Sequence, residues 1–185
     1  MVKIVSKAPK EYLKQGLNLC GACSVKAILS AYGKDDKEKA QDYLPGILKY
    51  VRPPTGKILI DVLKSYGFNA SLESAKHLSD QERLSLLKEL IDKDTPVMLR
   101  IGNGYLPNGK HSKLIAAFIG HWITLWGYND DEGVFYVYDP YLSIKRYDKT
   151  IPIGNVKRTF DEVLRDMGYG FPFARRYNYI RLDAE

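Results

Sequence analysis

At 185 residues the chain is about one domain long, and folding can bury roughly 70% of its unfolded surface without a disulfide staple. Its 45% hydrophobic and 27% charged residues exclude collagen-like, disordered and disulfide-scaffold chains. Lys and Arg number 28 against 22 Asp and Glu, a net charge of +6, but signs alternate in runs such as Lys34-Asp35-Asp36-Lys37-Glu38-Lys39, which reads as a solvated face and not a nucleic-acid stripe.

Residues 1–14 hold no continuous apolar block, so no signal peptide is read and a cytoplasmic location is expected. Cys20 to Tyr32 has the apolar spacing of a helix and stops at Gly33. Asp36 to Tyr50 is a weaker helix, broken by Pro45-Gly46. Thr55 caps a third helix through Tyr66, with Ile58, Leu59, Val62 and Leu63 on one face. Ser79 caps a fourth, with Gln81 and Glu82 early and Leu84, Leu86, Leu87, Leu90 and Ile91 as its apolar face.

The period then becomes strand-like. Residues 96–101 form a β-rich run, followed by the turn-rich loop Gly102 to Lys113. Leu114 to Trp126 is the longest apolar stretch. It falls short of the roughly 18 residues of a membrane span, is broken by Gly120-His121, and is expected to be buried core. Residues 122–128 and 133–138 read as a hairpin turning at Asn129-Asp130-Asp131-Glu132. A short helix over Thr159 to Met167 and a strand over Tyr177 to Leu182 close the chain. Helices first and antiparallel strands later describe an α+β fold, not a doubly wound parallel sheet.

Four residues at element boundaries form a chemical set. Cys20 opens the first helix, whose unpaired N–H groups and dipole favour a thiolate. His121 starts a strand and can act as base and then acid. Asp139, before Pro140, ends the next strand and can orient the imidazole. The hairpin register puts His121 and Asp139 opposite each other near the open end, about 4.5–5.5 Å apart at Cβ. Gln15 lies beside the thiol and can donate to an oxyanion.

On these residues the chain resembles papain-like cysteine peptidases. The closer match is to the bacteriocin-processing, double-glycine leader peptidases and their free-standing relatives. The carrying strings are Gln15-Gly16-Leu17-Asn18-Leu19-Cys20-Gly21-Ala22-Cys23-Ser24, Tyr32-Gly33, Thr55-Gly56 with Asp61 to Phe68, Gly120-His121-Trp122 and Tyr138-Asp139-Pro140. The resemblance implies a papain-like domain over residues 1–185, with a helical part over about 12–93 packed on an antiparallel sheet over about 95–182. It implies a Cys20–His121–Asp139 triad, Gln15 in the oxyanion hole, a thioester acyl-enzyme, and a peptide or protein substrate. No cofactor or metal is expected, and nothing sets the oligomeric state. Gln15 stands one residue closer to Cys20 than the family's usual spacing, and Cys23 stands where the leader peptidases carry a small residue.

Other readings remain open. In papain-type enzymes a Cys-Gly-x-Cys string makes the later cysteine the nucleophile, which would be Cys23. Acyltransferase and deamidase chemistry share the same acyl-enzyme, and a peptidase-like module can bind without turnover. Cys20-Gly21-Ala22-Cys23 is also a CxxC, as in thiol–disulfide oxidoreductases or half a zinc site with His111 and His121. His77 and His111 read as surface or loop residues, Trp122 as core or a shield for the Cys–His pair, and the loop Gly102 to Lys113 as a lid or specificity loop.

Overall fold

A computed structural model describes residues 1–46, 54–106, 110–170 and 176–183. The order of elements is β1 (Val2–Ile4), α1 (Cys20–Ala31), a 3-10 turn (Ala40–Tyr43), α2 (Gly56–Ser65), β2 (Asn69–Ser74), α3 (Asp80–Asp92), β3 (Val97–Gly102), α4 (Lys113–Phe118), β4 (Gly120–Asn129), β5 (Val134–Tyr138), a second 3-10 turn (Ile144–Arg146), β6 (Val156–Thr159), α5 (Phe160–Met167) and β7 (Asn178–Asp183). The sheet is antiparallel throughout, in the order β2-β7-β3-β4-β5-β6, with β1 added against the end of β4. Helices pack on this sheet, and the α+β class is as expected.

Helix starts follow the caps in the sequence. The Thr55 hydroxyl accepts from the Ile58 N–H, and Ser79 with Glu82 forms a capping box at α3. Thr159 with Glu162 forms another at α5. Such caps satisfy backbone donors that the first turn leaves open. α1 is different: no side chain caps it, and Leu19 precedes it. No side chain takes up its first N–H groups, and the Gly21 N–H is directed at the Cys20 thiol. Strands β3, β4 and β5 are buried along nearly their whole length, and Trp122, Trp126, Tyr128, Phe135 and Tyr138 fill the centre of the core.

Several expectations need correction. Within the described residues 36–46 the expected helix from Asp36 is replaced by one 3-10 turn over residues 40–43; residues 47–50 of that expectation lie outside those described. The chain there bends back on itself, with the Tyr43 hydroxyl accepting from the Asp36 and Lys37 N–H groups at 3.0 Å each. Strands β1, β2 and β6 add to those expected from the sequence. β2 lies within the stretch assigned to helices, so the front half also supplies strands. Leu114 to Trp126 is not continuous core: α4, capped by Ser112, buries Ala116 and leaves Leu114, Phe118 and Ile119 exposed. Only six residues long, it lays its small side over Gly104, where an added Cβ would stand 2.9 Å from Ala116 Cβ.

The hairpin turns one residue later than expected. Asn129 stays in the ladder opposite Val134 because its Oδ1 accepts from the Asp131 and Glu132 N–H groups and organises the turn. A bulge then shifts the register between Leu125 and Gly127, and the ladder ends at Thr124 opposite Tyr138. Continued, it would set Asp139 opposite Ile123. His121 and Asp139 are therefore diagonal neighbours on one face, not an opposed pair, and long side chains still bridge that separation.

Candidate active site

Three backbone anchors bring the segment before α1 to the end of β5. Tyr138 donates its hydroxyl to Leu13 O at 2.7 Å, Tyr147 donates to Tyr12 O at 3.0 Å, and Gln15 N–H donates to Pro140 O at 2.8 Å. Asn18 adopts φ 60°, a left-handed conformation that Asn tolerates, and the chain then enters α1 at Cys20. Gly21 lets α1 lie directly on α2: a Cβ there would stand 2.8 Å from Leu59 Cδ1. The Cys-Gly pair thus has a packing cause.

Cys20, His121 and Asp139 are brought together, at 4%, 3% and 2% exposure. His121 Nε2 lies 2.8 Å from Asp139 Oδ1, which leaves Nδ1 for the Cys20 thiol, the other side-chain partner of His121. Burial pushes the Cys20 thiol up. The hydrogen bond and charge of His121, with the Trp122 and Gly21 N–H groups, outweigh this and lower it. Burial likewise disfavours a charged His121, but Asp139, by charge and hydrogen bond, and Cys20 raise it to about 9. Asp139, although buried, is held well below the usual carboxylate range by His121 and Arg158.

Cys23 is one turn further along α1 and behaves oppositely. Burial and the neighbouring Cys20 charge push its thiol up to about 12, against a weaker opposing contact from Tyr138. Both cysteines are free. No strand precedes the CxxC within residues 5–19. No group of three or more His, Cys, Asp or Glu among the described residues is placed to hold a metal ion.

Sequence reasoning missed the support beneath Asp139. Arg158 on β6 is buried, donating to Asp139 Oδ2 through Nη2 and to Asp166 Oδ2 through Nη1 at 3.3 Å. Asn155 accepts the Asp139 N–H at 2.8 Å and donates to its carbonyl at 2.9 Å. Asp166, fully buried, also meets Arg165 Nε at 2.9 Å and His111 Nε2 at 3.1 Å. His111 does lie in the loop after β3, as expected, but not at its surface: its side chain is mostly buried, and its Nε2 stands 3.1 Å from Asp166 of α5. That loop is anchored further by Asn103 N–H to Ile119 O at 2.8 Å and by Tyr105 to Glu162 at 2.9 Å. Residues 107–109 of it lie outside those described.

Among the described residues no hydrogen bond joins the Gln15 side chain to His121 or Asp139. Its Oε1 is buried without a partner among the described residues, and it lines, with Gly16, Leu17 and Asp139, a cleft of about 680 Å³. Trp122 is buried, contributes its backbone N–H to Cys20, and packs 6.0 Å beneath the Arg100 guanidinium.

Among solved structures, a double glycine motif protease from an AMS/PCAT transporter, in complex with the leader peptide, aligns at TM-score 0.57 and 16% identity, covering 100% of this chain and 99% of that one. The peptidase domain of Streptococcus ComA, a bi-functional ABC transporter involved in a quorum sensing pathway, aligns at 0.58 and 14%, covering 95% and 100%. UfSP from C. elegans aligns at 0.53 and 15%, covering 98% of this chain and 33% of that one. At such identities these likenesses establish the fold alone. No curated protein matches. The family model described as the Peptidase_C39 like family matches residues 2–171, nearly the whole chain, and the protein belongs to that family.

Proposed function

We propose that the protein is a cysteine hydrolase that cuts a peptide or amide bond, with Cys20 as nucleophile. The observation that carries this reading is the contact of one buried thiol with one imidazole, whose far nitrogen lies 2.8 Å from a carboxylate. In the proposed reaction the Cys20 thiolate attacks the carbonyl carbon, and the carbonyl π pair moves onto oxygen. The Gln15 amide and the Cys20 N–H donate to that oxyanion. As the tetrahedral intermediate collapses, the C–N bond breaks and the amine takes the proton from His121 Nδ1, leaving a thioester. Water then attacks the thioester while His121 takes its proton. The second collapse releases the acid and returns that proton to the Cys20–His121 pair. Asp139 keeps the ring oriented throughout.

The near burial of Cys20 favours a slim chain segment at the scissile bond. The protease named above in complex with the leader peptide gives an analogy for such a substrate. A peptide vinyl sulfone with Gly next to the warhead tests the reading: it should add one equivalent to Cys20 by mass spectrometry, Cys20→Ala should abolish the adduct, and Cys23→Ser should retain it. Labelling confined to Cys23, or none at all, overturns the assignment.

A further inference from the structure

The cleft beside Gln15 and Asp139 carries a charge distribution that this acyl-transfer chemistry leaves unused. Tyr105, Leu106, Leu142 and Val156 give it an apolar lining, joined by Leu17 at 88% exposure. Six charged side chains also line it: Lys14, Asp139, Arg146, Lys157, Arg158 and Glu162. Four of the six are engaged within the protein. Asp139 and Arg158 hold each other, Lys157 pairs with Glu132 at 2.5 Å, and Glu162 accepts from the Tyr105 hydroxyl at 2.9 Å. The remaining two are Lys14 and Arg146. Both are exposed, and neither has an ion-pair or hydrogen-bond partner among the described residues.

Both carboxylates of the cleft are thus consumed internally, while two cations face it unneutralised. Each stands on anchored backbone: Lys14 precedes Gln15, fixed to Pro140 O at 2.8 Å, and the Arg146 N–H closes a turn on Ser143 O at 2.8 Å. Like charges over apolar walls raise the local concentration of an oppositely charged ligand. An arginine fork suits a carboxylate in particular.

We propose that this cleft is a substrate subsite for a carboxylate-bearing peptide segment. Apolar side chains of the peptide lie on the Tyr105, Leu106, Leu142 and Val156 lining, and its carboxylate is taken by Lys14 and Arg146. The proposal rests on reading the neighbouring Cys20 cluster as a peptide hydrolase, since a carboxylate is the anion an unmodified peptide carries. It comes from an Asp or Glu side chain or from a free C-terminus.

Binding separates this proposal from turnover. Dye-labelled Leu- and Tyr-containing hexapeptides, carrying Glu, Gln or Lys at each position in turn and ending in a free or amidated C-terminus, are titrated by fluorescence anisotropy against full-length Cys20→Ala protein. At low salt the best Glu peptide should bind at least about tenfold tighter than its Gln counterpart, the size expected of two exposed ion pairs. The ratio should shrink at high salt and fall below about twofold in Lys14→Gln/Arg146→Gln. It should survive in Lys145→Gln, an exposed neighbour outside the cleft lining. If a C-terminal carboxylate is the ligand, the free-acid series replaces the Glu series in every comparison. Equal binding of charged and neutral peptides, a preference that persists in the double variant, or no binding by any peptide overturns the proposal. The Cys20 adduct with the neutral vinyl sulfone is read independently, so failure of the hydrolase reading is seen separately.

Discussion

Cys20 and Cys23 share one helix, one turn apart, and both are buried, yet their thiols are driven in opposite directions. Burial alone raises both. At Cys20 it is overcome by His121 and by the Trp122 and Gly21 N–H groups, whereas Cys23 gains only a contact from Tyr138 and is pushed up to about 12. Position at the uncapped helix start, next to a histidine held charged by a carboxylate, makes the difference. A cysteine's chemistry here is decided by its neighbours and not by its burial or its helix.

The contrast can be broken from beneath. Arg158 is buried between Asp139 and Asp166, so Arg158→Met leaves carboxylates facing each other's environment without that cation. Removing one partner of a buried ion pair costs about 3–5 kcal/mol, and urea unfolding should register a loss of that order. A loss below about 1 kcal/mol, the worth of an exposed pair, would mean that solvent already screens Arg158.

Asp139→Asn acts on the contrast more locally. The amide can still accept from the Tyr141 N–H, so the turn should persist, but the charge that raises His121 to about 9 is gone. Burial then dominates and lowers His121. The imidazolium is lost at a lower pH, and with it the support that lowers Cys20. For the proposed hydrolase the alkaline limb of the kcat/KM profile is expected near pH 9 with Asp139 present and should move to lower pH without its charge. The acid limb should move up, and the maximum should fall by at least about tenfold. An unchanged profile would release Asp139 from the site and leave a Cys20–His121 pair.

Cys23→Ala should have the smallest effect: activity within about twofold, and a stability loss of about 1 kcal/mol, typical of a small buried truncation. A large fall in kcat with unchanged stability would give Cys23 a part in the chemistry.

The same split between local and long-range causes governs what the sequence disclosed. Gln15, Cys20, His121 and Asp139 stand in short strings whose boundary positions are written locally, as are the caps at Thr55, Ser79 and Thr159. The His121–Asp139 contact was legible although its register was not. The turn depends on the Asn129 side chain, and the bulge near Trp126 accompanies the seating of β1, whose Ile4 pairs with Gly127. A Cβ on Gly127 would stand 2.6 Å from Lys3 O, so that glycine was the available clue to β1. Arg158, Asn155 and Asp166 were silent because nothing near them in sequence resembles a site. Arg158 reaches Asp139 through the pairing of β6 with β5, where it stands opposite Phe135, Asn155 does so from the residue before β6, and Asp166 supports Arg158 from α5. β2, a polar edge strand with alternating exposure, lacks the apolar run that marks a strand by composition.

The most direct measurement is the rate of iodoacetamide alkylation at Cys20 and at Cys23 in the same folded sample, resolved by peptide mass spectrometry across pH 5 to 10. Cys20 should alkylate below the ordinary thiol range and lose that low-pH reactivity in His121→Ala, while Cys23 stays unreactive until the protein unfolds. Equal rates at the two cysteines, or faster alkylation of Cys23, would contradict the account.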